Sequence, residues 1–333
     1  MPTIQDVAKK AGVAPMTVSR VINQSGYASP EVRTRVQAAI EELGYMPNSL
    51  ARSLRIRRTN TIALVLTDIT NPFFTTLARG VEDAASQAGY TVLFGNTDES
   101  EEKETHYLDM ILQKRVDGIL LVPAGGSVAP VERIRHYHTP LVVLDRRIPG
   151  EVVDVVRCDS EEGAYRLTRM LLDLRHRQIA LLNGPATVST AVDRANGFLR
   201  AMRAAGIANP QVEYGSFTQE SGIEMARRAL AVQPRPTAMI AGNNFIAIGA
   251  LKVLRKAGLE VPEDVALVGF DDLPAAMIIE PFLTVADQPA YEMGRQAAEL
   301  LFKRLSGEQV DPPQEILLPV NLIVRASSGS RLG

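Results

Sequence analysis

The sequence has 333 residues, a formal net charge of −2 and 46% hydrophobic residues, which is typical of a water-soluble protein with two or three domains. Its one cysteine, Cys158, excludes an intrachain disulfide and fits a reducing compartment. No segment has the roughly 18 consecutive apolar residues of a membrane helix, and the first residues lack the apolar stretch of a signal peptide. We therefore expect a cytoplasmic protein without a membrane partner.

Charge is distributed unevenly along the chain. Residues 1–58 contain nine Lys and Arg but four Asp and Glu, a net charge of +5, so the remainder carries −7. A basic segment attached to a larger acidic body is typical of a small domain that binds a polyanion. The overall charge argues against nucleic acid as a partner, whereas its distribution argues for it.

The basic segment predicts three helices. Thr3 and Asp6 form an acidic capping box for the first helix, Pro15 fits the first position of a second, and Ser29 caps a third. Gly12 supplies a short turn between the first two, so the three make a helix-turn-helix. A helical dimerisation module is the alternative, but it leaves the positive charge and the polar face of the second helix unexplained.

Three stretches carry a resemblance to a known family. TIQDVAKKAGVAPMTVSRVIN (residues 3–23), YASPEVRTRVQAAIEELGYMPN (27–48) and LARSL (50–54) closely resemble the DNA-binding head of the LacI/GalR (lactose-repressor) family. The resemblance implies a homodimer whose second helices lie in the major groove of a pseudo-palindromic, double-stranded operator. It also assigns roles to six side chains. Base edges would be contacted by Pro15, Met16 and Arg20, and phosphates by Thr17, Ser19 and Asn23.

Residues 48–58, NSLARSLRIRR, form a basic tether after the head. A plain basic linker is the alternative that composition alone leaves open. The resemblance implies instead a hinge helix that forms on the operator and contacts DNA through Ala51, Arg52 and Leu54. In that arrangement Leu54 would be wedged into the minor groove, where an inserted apolar side chain kinks the duplex.

From residue 60 onward, apolar runs alternate with amphipathic helices. Runs at 61–66, 91–95, 118–122 and 141–145 predict one set of buried parallel strands, and runs at 179–184, 237–242 and 265–270 predict a second set. Such alternation gives doubly wound sheets, which bind ligands at the carboxyl ends of their strands. The predicted fold is thus an N-terminal all-α head followed by an α/β body of two doubly wound parallel-sheet lobes with a cleft between them.

The body lacks the motifs of common enzymes. It has no G-x-G-x-x-G after a strand, no P-loop and no G-x-S-x-G. His136 and His138 have no further His or Cys nearby in the sequence to complete a metal site. We therefore predict that the protein is not an enzyme and uses no cofactor or metal.

Eleven residues at or beyond the strand ends carry chemistry that suits a neutral polyol. Ionised acceptors, amides and guanidiniums bind hydroxyls, and aromatic rings cover the C–H faces of a sugar. The eleven are Thr67, Asn71, Phe73, Phe74, Asp145, Arg146, Arg194, Phe217, Asn243, Asp271 and Gln288. Each one alone is also explained by structure, since an Asp after a strand often caps a helix and a Phe is often core.

Taken together, these positions resemble the pocket of ribose-type periplasmic binding proteins, the fold of the LacI/GalR effector domain. The resemblance covers residues 60–325 and implies a monosaccharide effector, with a ribose-like sugar as the first candidate. One departure is Asn244, where the family usually has Asp. We expect Asn244 to cap the helix that begins at Phe245.

The predicted organisation is a head at 1–47, a hinge at 48–59 and an effector-binding and dimerisation body at 60–325. Lobe one would take about 60–158 and 289–325, and lobe two about 159–288. The predicted function is a transcriptional repressor controlled allosterically by a small sugar.

Three alternatives stay open. The first is a purine-type co-repressor site, because LARSL also resembles the purine repressor's hinge. The second is a sugar-binding transport protein, against which the basic head counts. The third is an enzyme on a Rossmann-like fold, for which no phosphate loop or nucleophile is present. The last residues, SSGSRLG, lack a leucine heptad, which favours a dimer over a tetramer.

Overall fold

The structure is a computed structural model that describes residues 2–23, 25–46, 58–274, 281–307 and 312–329. The chain divides into two compact units, residues 1–59 and residues 60–333. The predicted hinge residues Ala51, Arg52 and Leu54 lie outside the described residues. Within the described ranges, no helix combines the length and apolar character that crossing a membrane requires.

The first unit contains three helices, α1 (Ile4–Ala11), α2 (Pro15–Ile22) and α3 (Pro30–Leu43). The predicted capping box is present, because Thr3 N donates to Asp6 Oδ2 at 2.8 Å while the Thr3 hydroxyl accepts from Asp6 N. Gly12 ends α1 with a φ of 65°, a left-handed conformation that glycine adopts without strain. The helices enclose a small core made of Val7, Ala8, Ala11, Val18, Val21, Ala28, Val36 and Ala39.

The second unit contains two six-stranded sheets, and the first forms the centre of lobe one. Its strand order is β11-β5-β4-β3-β1-β2, with all neighbours parallel. The strands are β1 (Thr61–Leu66), β2 (Thr91–Asn96), β3 (Gly118–Leu121), β4 (Leu141–Leu144), β5 (Asp154–Cys158) and β11 (Glu315–Leu318). The helices of this lobe are α4 (Pro72–Gln87), α5 (Glu101–Gln113), α6 (Ala129–His136) and α11 (Ala290–Ser306).

The second sheet forms the centre of lobe two, in the order β12-β10-β9-β8-β6-β7. Its strands are β6 (Ile179–Asn183), β7 (Gln211–Tyr214), β8 (Ala238–Ala241), β9 (Ala266–Phe270), β10 (Thr284–Asp287) and β12 (Asn321–Ile323). All neighbours are parallel except β12, which runs antiparallel to β10. The helices are α7 (Ser160–Asp173), α8 (Ser189–Ala204), α9 (Gln219–Ala231), α10 (Asn244–Lys256) and a short 3-10 turn at Ala326–Ser328.

The predicted fold class is confirmed, and all seven predicted strands are present with ends within one residue of expectation. The structure adds β5, β7, β10, β11 and β12, which the apolar runs did not reveal. The expected lobe boundary differs near the end of the chain. The sequence predicts residues 289–325 in lobe one, whereas β12 within that range pairs with β10 and so belongs to lobe two. The chain therefore crosses between the lobes three times, after β5, β10 and β11.

Helices α4 and α11 of lobe one approach so closely that glycine is required on both. A Cβ added to Gly80 would lie 2.1 Å from the carbonyl oxygen of Tyr291, and one added to Gly294 would lie 2.1 Å from that of Leu77. Backbone atoms cannot move away without separating the helices. This contact fixes how α4, which begins beside the strand ends, sits on the first sheet.

We expect Gly294→Ala to lower the free energy of unfolding by about 1–3 kcal/mol, the usual cost of forcing extra volume into a packed interior. Urea denaturation of the full chain measures this, with Ser86→Ala on the exposed side of α4 as the control. A Gly294→Ala variant as stable as the control would contradict the close approach.

Candidate functional site

A cavity of about 440 Å³ lies between the two lobes at the carboxyl ends of their strands. Ten of the eleven predicted effector residues line it, namely Asn71, Phe73, Phe74, Asp145, Arg146, Arg194, Phe217, Asn243, Asp271 and Gln288. Thr67 is not among the lining residues. It is fully buried, and its hydroxyl has no hydrogen-bond partner within the described part of the chain.

Seven lining residues were not predicted: Asp68, Thr70, Asp98, Glu99, Thr190, Ser216 and Thr218. Asp98 and Glu99 follow β2, so the strand-end argument that found Asp145 applied to them equally. Thr190 lies on α8 one turn before Arg194, where the helical spacing could have indicated it. Thr218 is the N-cap of α9, whose hydroxyl accepts from Ser221 N at 3.2 Å.

Asp145 and Asp271 occupy equivalent places in the two lobes. Each directly follows a central strand, β4 or β9, in a left-handed conformation, with φ of 63° and 60°. The amide of Asp145 donates to Val156 O on the neighbouring strand, and that of Asp271 donates to Ala286 O. Asp tolerates the left-handed region better than most residues. The turn presents one buried carboxylate to the cavity from each lobe.

Burial dominates the electrostatics of both carboxylates. It raises the pKa of Asp271 to about 7, against the opposing effects of the Arg194 charge and the Gln288 amide. Gln288 Nε2 donates to both carboxylate oxygens of Asp271, at 3.0 and 3.1 Å. Burial also raises the pKa of Asp145, although Arg146 and Arg194 lower it. Each group is thus held in a site where an additional hydrogen-bond donor would stabilise its charge.

Arg146 is held within lobe one. Its two terminal nitrogens donate to the two carboxylate oxygens of Glu99, each at 2.6 Å, and one of them also donates to Pro123 O at 2.8 Å. Its Nε has no hydrogen-bond partner among the described residues and lies 3.7 Å from Asp145 Oδ2. The guanidinium therefore offers Nε as its uncommitted donor.

Arg194 lies on α8, and its guanidinium contacts residues at the ends of β8 and β9 in lobe two. Its Nη1 donates to Gly242 O at 2.6 Å, and the guanidinium stacks 4.2 Å from the ring centroid of Phe270. Its Nε has no partner within the described residues. Burial lowers its pKa while Asp271 and Asp145 raise it, so both carboxylates stabilise its charge.

The three aromatic rings have different surroundings. Phe73 and Phe74 meet edge to face at 5.0 Å and belong to the buried core of the body while also lining the cavity. Phe217 is only half-buried, and the Arg146 guanidinium of the other lobe lies 5.4 Å from its centroid. Apolar surface is thus contributed to the cavity by both lobes.

The prediction that Asn244 caps its helix is wrong. Asn243 is the N-cap of α10, where its Oδ1 accepts from Ile246 N at 2.8 Å, and α10 begins at Asn244 itself. The two asparagines are neighbours, so sequence spacing cannot tell which one caps. The side chain of Asn244 instead donates to Asn71 Oδ1 of lobe one at 3.0 Å.

In the first unit, α2 presents its predicted contact residues on one side. Met16 is 59% exposed, and Pro15 and Arg20 are also exposed, whereas Val18 and Val21 on the opposite side are buried. The hydroxyl groups of Thr17 and Ser19 lie at the partly buried edges. Asn23 is engaged locally, since its Nδ2 donates to Ser19 O at 2.7 Å.

Comparison with known proteins identifies both units. Residues 3–48 match the family described as bacterial regulatory proteins, lacI family, and residues 59–326 match periplasmic binding proteins and sugar binding domain of LacI family. The chain belongs to the LacI family. It is a transcriptional regulator with a helix-turn-helix head and an effector domain, and its family consists of regulators, not enzymes.

Two full-length relatives of this LacI-family chain are repressors with different names. It is 38% identical to the ribose operon repressor of Bacillus subtilis (strain 168), covering 98% of this chain and 99% of that protein. It is 36% identical to the transcriptional repressor PurR of Pasteurella multocida (strain Pm70), covering all of both chains.

Solved structures agree with the fold. The lac repressor dimer bound to operator and the anti-inducer ONPF is 27% identical, with a TM-score of 0.87 over 98% of this chain and 99% of that one. A LacI-family regulator from Enterococcus faecium with bound ribose is 31% identical, with a TM-score of 0.71 over 80% of this chain and 98% of that one.

The raised pKa of Asp271 predicts a pH-dependent cost of keeping this residue in the folded protein. The folded carboxyl holds its proton up to about pH 7, whereas in the unfolded chain it ionises near 3.8, so this group's contribution to stability declines as the pH rises through that interval. We expect Asp271→Asn to become more stable relative to wild type by roughly 2–3 kcal/mol between pH 5 and pH 8, since one pKa unit corresponds to about 1.4 kcal/mol and about two units lie between pH 5 and the folded pKa.

Urea denaturation at each pH measures this difference. The control variant is Asp173→Asn, which removes a carboxylate that is 70% exposed at the surface. An Asp271→Asn variant whose relative stability does not change with pH would contradict the assignment.

Proposed function

We propose that this LacI-family regulator is a repressor whose effector is a small neutral sugar, with D-ribose as the first candidate. The observation that supports this most strongly is the pair of buried carboxylates, Asp145 and Asp271, that face one cavity from opposite lobes. A polyol carries hydroxyl donors around its whole ring, so one molecule can donate to both carboxylates at once. A sugar ring also has C–H faces that suit the phenylalanines.

The remaining polar groups fit the same chemistry. The uncommitted Nε donors of Arg146 and Arg194, together with the amides of Asn71 and Asn243, can bind hydroxyl oxygens. A hydroxyl both donates and accepts, so it can bridge a carboxylate and a neighbouring guanidinium.

The charge of the cavity argues for a neutral effector. Five acidic side chains line it, those of Asp68, Asp98, Glu99, Asp145 and Asp271, against the two guanidiniums of Arg146 and Arg194. Lys103 pairs with Asp98, and burial raises the pKa of Asp145 and Asp271, so an anion in the cavity would further disfavour the charged form of these two groups. Because Arg146 is already paired with Glu99, little positive charge is available to a phosphate group. A phosphorylated sugar or a nucleotide would be repelled in this site, where burial strengthens electrostatic interactions.

A purine is the second candidate, favoured by the full-length similarity to PurR of Pasteurella multocida. A planar base could stack against Phe73 or Phe217 and donate an N–H to one aspartate. Its donors lie at its edges, however, so a single base satisfies two carboxylates on opposite lobes less readily than a polyol does. A purine co-repressor would also reverse the sign of regulation relative to a sugar inducer.

For the head we propose binding to a pseudo-palindromic operator as a homodimer in the cytoplasm. The exposed side of α2 offers Arg20, which can donate bidentately to a guanine, beside the apolar Met16 and Pro15. The lac repressor dimer bound to operator supports this arrangement. The hinge contacts of Ala51, Arg52 and Leu54 remain part of the same proposal.

We expect Asp145→Asn and Asp271→Asn each to weaken D-ribose binding by about tenfold or more, because a hydrogen bond to a charged acceptor contributes about 1.5–3 kcal/mol. Operator binding in the absence of sugar should be retained. Calorimetry with D-ribose, ribose 5-phosphate and hypoxanthine measures the preference, with Asp173→Asn as control. Binding of hypoxanthine without any heat from ribose would overturn the sugar assignment.

A second prediction separates base contact from phosphate contact by Arg20. Arg20→Ala should cost about 1–3 kcal/mol of operator affinity and relax specificity at one base pair in each half-site. Arg20→Lys keeps the charge but loses the planar fork, so it should restore affinity for unrelated DNA without restoring specificity. Fluorescence anisotropy on operator variants tests both, and uniform weakening on all sequences would make Arg20 a phosphate contact.

A further inference from the structure

One buried hydrogen bond joins the two lobes directly. Asn244, the first residue of α10 in lobe two, is fully buried, and its Nδ2 donates to Asn71 Oδ1 in lobe one at 3.0 Å. The same amino group donates to Asp272 O within lobe two at 3.3 Å. Asn71, which accepts this bond, and Asn243, which precedes Asn244, both line the effector cavity, whereas Asn244 does not.

The orientation of the Asn244 amide is determined by its partners. Asn71 Oδ1 already accepts from Phe73 N at 3.1 Å, because Asn71 is the N-cap of α4, so this atom is an oxygen acceptor. Asp272 O is a carbonyl and can only accept. Both partners of Asn244 therefore require a donor, and the side-chain amino group is the part of asparagine that supplies two.

An ionised aspartate at position 244 could not make this contact. A carboxylate has no proton to donate and would bring negative charge against two oxygen acceptors in a buried place. Asn71 could reverse its own amide to meet a carboxylate, but it would then lose the cap on α4. Asparagine at position 244 thus supplies the donor that links the lobes, which an ionised aspartate there could not supply.

We propose that Asn244 is a positioning residue for effector binding, which sets the separation of the two lobes across the cavity through its bond to Asn71. When the bond is made, Asn71 and Phe73 of lobe one are held toward Asn243 and Asp271 of lobe two, the arrangement in which one ligand reaches both walls. The effect on ligand affinity rests on the proposed function, whereas the effect on lobe separation does not.

A second inter-lobe contact lies nearer the solvent and is less suited to this role. The Arg147 backbone amide donates to Ser189 Oγ at 2.7 Å, and its guanidinium pairs with Asp193. The Arg147 side chain is 41% exposed, so water and salt screen this pair. Arg157 of β5, whose side chain is 12% exposed, also pairs with Asp193 at 3.4 Å, beside the segment where the chain crosses after β5, and neither residue lines the cavity. The Asn244 bond is instead fully buried and joins α10 to Asn71 of the cavity wall.

The chain offers a matched control for an asparagine substitution. Asn183 is also fully buried, its Nδ2 also donates to a carbonyl, Ala191 O at 2.7 Å, and its Oδ1, like that of Asn244, has no partner among the described residues. Its bond lies entirely within lobe two. Asn183→Asp therefore repeats the chemical change of Asn244→Asp without touching the contact between lobes.

The first measurement is the distance between spin labels on cysteines introduced at Val128 in lobe one and Tyr214 in lobe two, both exposed and both near the strand ends. Labelled full-length chain is diluted with unlabelled chain so that distances within one chain dominate. We expect Asn244→Asp to shift the distance distribution to longer values and Asn183→Asp to leave it in place. An unchanged distribution in Asn244→Asp, or an equal shift in both variants, overturns the proposal.

The second measurement is D-ribose affinity by calorimetry. We expect Asn244→Asp to weaken binding about tenfold and Asn183→Asp less than about threefold, even if both lower the melting temperature equally. Equal losses of affinity would make Asn244 a merely structural residue. If the wild-type chain does not bind ribose but Asn244→Asp still lengthens the label distance, the positioning role stands and the sugar assignment fails.

Discussion

The body depends on keeping two carboxylates out of water at the ends of β4 and β9. Asp145 and Asp271 are both more than nine-tenths buried, and for each of them desolvation is the main influence that raises the pKa. An ionised group in such a place is tolerated only when other charges and donors compensate it. Arg194 interacts favourably with both aspartates, and Gln288 donates to one of them. The protein therefore supplies only part of the positive charge and hydrogen-bond donation that would stabilise the ionised forms of these two aspartates.

The two guanidiniums of the cavity, one from each lobe, are not equally available to a ligand. Arg146 is held by its two hydrogen bonds to the Glu99 carboxylate and by the carbonyls of the loop after β3. Glu104 holds that loop in turn, since its carboxylate accepts from Ala124 N at 2.7 Å. Burial raises the pKa of Glu104 to about 7. This network holds the terminal nitrogens of Arg146 within lobe one, with Nε 3.7 Å from Asp145 Oδ2 and without a hydrogen-bond partner among the described residues. Arg194, which has a single carbonyl partner and an aromatic face, is the more available guanidinium.

Six of the seven predicted strands are buried at all or all but one of their positions and are therefore continuous apolar runs, whereas the seventh, the edge strand β2, is mostly partly buried or exposed. The sequence did not reveal β5, where Asp154 and Arg157 interrupt the run. In the fold these charges pair with Arg304 and with Glu315, both about 150 residues away in the chain. The site was predictable because the predicted strands also fix where the strand ends lie. The carboxyl ends of parallel strands converge on one edge of a sheet, so side chains that follow them lie close together. Sequence spacing could not predict contacts between distant segments, such as those of Glu99 with Arg146 and of Asn71 with Asn244. These contacts determine which hydrogen-bond donors and acceptors of each side chain remain available to a ligand.

The three crossings of the chain between the lobes give these distant contacts their importance. Lobe one includes α11 and β11 from the end of the chain, and lobe two includes β12, so three short chain segments join the lobes, after β5, β10 and β11. Such a junction permits hinge motion, and the equilibrium between arrangements then depends on the few polar contacts that span the cleft. A ligand shifts that equilibrium only by the difference in its affinity for the two arrangements. A sugar that donates to Asp145 and Asp271 at once binds one lobe separation better than others, which is the separation that the Asn244 bond favours. Effector binding and the inter-lobe hydrogen bond therefore both depend on the separation of the two lobes, so a change in either one alters how readily the other forms.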